Sequence, residues 1–181
     1  QLDPTFGTAG WTALGLKGEA SQVLQESSGQ IIIGGDNTGG GCCTVNHVTA
    51  LTPGGQVDSS FGKDGVAVLP TGEDSGVSGL ALLPDGAILA QVNYGNMGCW
   101  GHELALLTSM GKPVAGFAAG MNRFWRNHPF GAFVGDAYVD GSRITLVGTG
   151  QRGCANGRKI SGKTAHGVIA HFSEAGATVG T

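Results

Sequence analysis

Leu2–Trp11 reads LDPTFGTAGW and Val57–Val66 reads VDSSFGKDGV. Both place an Asp three residues before a Phe-Gly pair and close on a second glycine. Phe61 follows Phe6 by 55 residues, and Phe117, in VAGF, follows Phe61 by 56. Two further phrases keep the same period. ALTPGGQVD from Ala50 is echoed by LLTSMGKPV from Leu106 and HFSEAGATV from His171. QESSGQIIIGG from Gln25 is echoed by LLPDGAILAQ from Leu82 and YVDGSRITLVG from Tyr138. The last set pairs a Ser-Gly or Asp-Gly turn with an apolar, β-branched run, which is the signal of a hairpin. Runs such as IIIGG and ITLVG are apolar throughout, as strands covered on both faces should be. Nothing long has helical period.

Composition agrees. The chain of 181 residues carries 35 glycines, without the strict triplet of collagen, and 40% hydrophobic residues. Many short strands joined by glycine turns fit this better than disorder. Charged residues are only 13% and net charge is −3, with no basic run, so no nucleic-acid partner is expected. No apolar stretch is long enough for a membrane span.

A period near 56 residues with about four strands per unit predicts propeller blades. The fold expected is therefore all-β, with about three four-stranded β-propeller blades over residues 1–181. The approximate units are 1–56, 57–112 and 113–181. In repeat phase Gln1 aligns with Gln56 and Thr181 with Ser60, so each unit is cut open inside a blade. Propellers close with about four to eight blades. Three are expected to need further blades, a second protein chain or self-association to complete the ring. Otherwise they expose strand edges that template aggregation.

LDPTFGTAG, VDSSFGKDG and LLPDGAIL resemble the bacterial delta-sixty repeat, written Leu-Asp-x-x-Phe-Gly-x-x-Gly with a Pro-Asp-Gly hairpin. The third unit departs from it: PVAGFAAG lacks the Asp and YVDGSR replaces Pro-Asp-Gly. The resemblance implies a propeller of an exported bacterial protein and no particular activity, since many functions share one frame. The opening on Gln1 suits a mature form trimmed by a signal peptidase. A secreted or periplasmic location is the expectation.

Cys42, Cys43, Cys99 and Cys154 are even in number. Cys43 and Cys99 are 56 residues apart, at equivalent places before the third strands of neighbouring units. In an exported chain they read as two disulfides. A bond between the adjacent pair is disfavoured by its strained ring, and the two outward pairings stay open. His47, His102, His166 and His171 are the metal donors to weigh. They lack any Cys-x-x-Cys or helical His-x-x-x-His spacing, so no metal and no cofactor is expected. Asp3, Asp58, Asp85 and Asp140 read as turn caps.

The third unit carries two insertions, around NRFWRNHPF and QRGCANGRKISGKT, both expected to project as loops. Phe124, Trp125, Arg126 and His128 combine aromatic and cationic groups, the composition of binding hot spots. The reading is a non-catalytic structural or recognition segment. The alternative is one half of a two-chain, hydrolase-like propeller enzyme with its active site at the channel mouth.

Overall fold

The structure is a computed structural model. It describes residues 1–15, 18–38, 44–70, 75–96, 99–117, 132–151, 154–155, 158–159 and 165–173. The described residues are mostly β, and no sheet closes on itself. Three antiparallel sheets follow one another along the chain. The first holds β1 (Ala20–Gln25), β2 (Ile31–Thr38), β3 (Thr44–Leu51) and β4 (Val66–Val68), in that order across the sheet. The second holds β5 (Ser75–Leu82), β6 (Ile88–Asn96) and β7 (Cys99–Leu107). The third holds β8 (Ala132–Asp140), β9 (Arg143–Gln151) and β12 (Ala165–Phe172), with β9 in the middle. A small ribbon pairs β10 (Cys154–Ala155) with β11 (Arg158–Lys159).

The repeat in the sequence is a repeat in hydrogen bonds. In Leu2–Gly10 the Phe6 amide donates to the Asp3 carbonyl and the Gly10 amide to the Phe6 carbonyl. In the second copy Phe61 donates to Asp58 and Gly65 to Phe61. Two further positions repeat their left-handed backbone angles. Gly7 and Gly62 have φ of 54° and 57°, and Ala9 and Asp64 both 54°. Each Asp caps its loop through Oδ1: Asp3 accepts the Thr5 amide and hydroxyl, and Asp58 accepts those of Ser60. The next turn is also copied. The Gln56 amide donates to Thr52 Oγ1 and the Lys112 amide to Thr108 Oγ1, both at 3.2 Å. Each aromatic ring then docks on the following turn. A Cβ added to Gly55 would meet Phe6, and one added to Gly111 would meet Phe61, each at 2.8 Å.

Stacking of the sheets follows from strand alternation. On the first sheet Ile32, Val48 and Ala50 point towards the second and share one apolar cluster with Val77, Ile88, Ala90, Val92, Ala105 and Leu107. The opposite face of the second sheet presents Leu89, Leu104 and Leu106. These join Ile144, Leu146, Ala170 and Phe172 of the third sheet in a second cluster. We call the face turned towards the following sheet the leading face and the other the trailing face. β6 is therefore covered on both sides, with Ile88 to Val92 buried without interruption. Phe61 and Phe117 are fully enclosed, one in each cluster.

The first strands of the first two sheets, β1 and β5, carry matching irregularities. Pairing of β1 with β2 slips at Ser21, and pairing of β5 with β6 slips at Ser78. Each serine hydroxyl reaches the carbonyl across from it: Ser21 to Gly34 at 3.3 Å and Ser78 to Gln91 at 3.4 Å. Ser21 also donates to Val77 of the second sheet at 2.6 Å. Gly34 is required there, since a Cβ would lie 2.6 Å from Val77.

Candidate functional site

The two ends of the stack differ. At one end each sheet turns tightly. Gly29 and Gly86 supply φ of 87° and 84° to the first two hairpins, and Asp85 Oδ1 accepts the Ala87 amide at 2.9 Å. In the third sheet Asp140 pairs directly with Arg143, so the hairpin contains two residues, Gly141 and Ser142. The other end lies where β2 and β6 finish and β3 and β7 begin. The links 39–43, 97–98 and 152–164 leave from it, as do the entries to β5 and β8. Variable connections at one end of a regular frame are where recognition residues concentrate.

Cys99 and Cys154 fall at this end. Cys99 opens β7, Cys154 opens the β10–β11 ribbon beyond the end of β9, and β3 begins immediately after Cys43. Cys42 and Cys43 lie outside the described residues, as do Phe124, Trp125, Arg126 and His128. The insertion carrying those four enters β8 at Ala132, whose register partner is Gln151 at the last residue of β9. The second insertion contains a feature that its sequence signalled and the reading passed over: Asn-Gly at 156–157, between the paired residues of β10 and β11.

The histidines are distributed over the frame. His47 lies in β3, His102 in β7, and His166 and His171 in β12. His166 pairs with Gly150 near the loop end and His171 with Thr145 near the hairpin end, so β12 separates them along its length. Nδ1 of His102 lies within hydrogen-bond distance of the Gln91 amide, and Nδ1 of His171 is 2.9 Å from the Thr145 hydroxyl. Among the described residues no three or more His, Cys, Asp or Glu side chains are grouped to hold a metal ion.

His47 has the most distinctive surroundings. Its side chain is buried, and its Nδ1 has no hydrogen-bond partner among the described residues. With Leu14, Gly18, Glu19, Ala20 and Asp36 it lines a depression of about 190 Å³ at the loop end of the first sheet. Burial pushes its pKa down. A backbone hydrogen bond at Val45 and the charge of Asp36 oppose that shift without reversing it. Asp36 is itself fixed, because its Oδ1 accepts the Glu19 amide at 3.0 Å. The depression thus offers a neutral imidazole and two carboxylates to a polar group. Sequence spacing gave no sign of it, because Glu19, Asp36 and His47 lie on three different strands or their approaches.

No helix among the described residues is long and apolar enough to cross a membrane. No family model, curated protein or solved structure matches the chain.

Proposed function

We propose that the chain is a segment of an exported β-propeller of the delta-sixty type, serving as a structural or recognition unit. Its recognition face is the loop end, where Phe124, Trp125, Arg126 and His128 supply the contacts. Cys42, Cys43, Cys99 and Cys154 form two disulfides there, with the pairing open. Further sheets of the same repeat complete the ring. The observation that carries this reading is the stacking. Three antiparallel sheets lie leading face to trailing face, in the order and phase of the sequence repeat. That arrangement is what successive blades of one propeller require.

The test replaces the proposed contacts and leaves the frame intact. Trp125→Ala with Arg126→Ala should change the melting temperature by no more than about 2 °C, the scale of surface substitutions in a domain of this size. Alkylation without reductant should add no label to the native chain. A loss of about 10 °C or more would make Trp125 a core plug, since that scale belongs to buried aromatics. Two labels per chain would remove the exported, disulfide-held part of the proposal.

A further inference from the structure

The two junctions between sheets use the same positions and fill them differently. Ile88 pairs with Leu82 and Ile144 with Val139 just after the second and third hairpins. Counted back from there, Val77 and Leu80 of β5 correspond to Gly135 and Ala137 of β8. Gly34 of β2, opposite Val48, corresponds in the same way to Gln91 of β6, opposite Leu104. At the first junction Val77 and Leu80 lie over Gly34, where an added Cβ would come within 2.6 Å of one and 3.3 Å of the other. The Ser21 hydroxyl crosses the same junction to the Val77 carbonyl. At the second junction both large side chains are gone: glycine stands for valine and alanine for leucine. Gln91, 7% exposed, takes the place of Gly34 without filling the room. A cavity of about 140 Å³ remains between the second and third sheets.

We propose that this cavity binds a small branched aliphatic amide, either as a free molecule or as an aliphatic residue of a peptide, which has the same chemistry. The site is separate from the loop-end contacts proposed above. It requires only that the second and third sheets stack, and neither ring closure nor disulfides.

The first junction indicates what such a space receives: an isopropyl group and a carbonyl oxygen, both from Val77. Each has a counterpart at the second. Leu89, Ala81 and Ala137 supply apolar wall for a branched alkyl group. Ser78, at the same slip as Ser21, also lines the cavity. Among the described residues its hydroxyl reaches only the Gln91 carbonyl of its own sheet, at 3.4 Å, against 2.6 Å from Ser21 to Val77. The usual O–H···O distance is about 2.7–2.8 Å, so Ser78 can still donate strongly to a ligand carbonyl. Gln91 turns Nε2 to His102, while its Oε1 lies 3.6 Å from where a Cβ on Gly79 would stand, on the cavity side. A carbonyl oxygen accepts through two lone pairs, so Oε1 can take an amide N–H beside its other contacts. Asp136 borders the cavity, but in β8 it alternates to the face of Tyr138, so its charge stands outside. An apolar cavity of about 150 Å³ holds benzene, so this space suits a molecule of about six heavy atoms, the size of isobutyramide.

Titration of the whole chain with isobutyramide, followed through its amide NMR signals, tests this. Saturable shifts are expected at Ser78, Gln91 and Ala137, with a dissociation constant on the order of millimolar for so small a ligand. Ala137→Leu restores the residue of the first junction. It should weaken binding roughly tenfold or more while the melting temperature holds or rises, because it fills space that is already there. Ser78→Ala should weaken isobutyramide about three- to tenfold, the scale of one hydrogen bond, and leave xenon uptake unchanged. A capped Gly-Val-Gly peptide that binds more tightly than isobutyramide assigns the site to peptides, and one that binds more weakly assigns it to free amides; both support the inference. Absence of saturable shifts, or shifts that survive Ala137→Leu, overturns it. Xenon uptake without isobutyramide binding makes the space an apolar void and overturns it as well.

Discussion

Leu2–Gly10 and Val57–Gly65 are the same loop in two settings. Their internal hydrogen bonds, capping aspartates and left-handed residues coincide. Their surroundings do not. Phe61 is 1% exposed, while Phe6 is only half-buried. Asp58 has Gln30 as a second partner, and the corresponding oxygen of Asp3 has none among the described residues. The residues after Gly65 form a strand on β3, whereas Trp11 makes only isolated bridges to its own loop. Local sequence is therefore sufficient to shape the loop. Burial and strand pairing come from the sheet that the loop meets.

Substitution of the two anchors should break this comparison most visibly. Phe61→Ala empties a site enclosed by two sheets and should cost about 3–5 kcal/mol at any protein concentration. Phe6→Ala should cost about 1–2 kcal/mol in dilute solution, because less of the ring leaves water. Chemical denaturation measures both. Equal costs for the two substitutions would mean that the loops are equivalent in fact as well as in sequence.

A smaller effect sharpens the contrast between the two ends of the stack. Burial lowers the pKa of His47, so the unfolded chain binds this proton more tightly than the native one. Stability from the neutral ring is then complete above the unfolded value, about 6.5. It is lost progressively as pH falls below that value towards the lower native one. His47→Gln should flatten the decline between about pH 7 and 5. If His47→Gln left the decline unchanged, the depression around His47 would not be its source.

Much of this frame was legible before any coordinates. The Phe anchors and the hairpins at Gly29 and Gly86 rest on short-range patterns. Glycine at positive φ, an Asp two residues before the amide it caps, and alternation along a strand all act within a few residues. What was missed acts across sheets. The slips at Ser21 and Ser78 are visible only when the pairing partner is known, since serine in a strand carries no sign of a bulge. The packing of Gly34 on Val77 and the enclosure of His47 depend on elements separated by tens of residues. The β10–β11 ribbon was within reach of the sequence. It was lost because a polar, glycine-rich stretch was read by its composition and not by its Asn-Gly step.

The middle sheet is the one whose two faces are both covered within a single chain. Native-state hydrogen exchange of Ile88–Val92 in β6 and Ile144–Val147 in β9 measures that coverage. The prediction is that β6 amides exchange only through global unfolding, while β9 amides exchange faster. Exchange of β6 through local opening, at rates matching the exposed strand β1, would contradict the stacked arrangement.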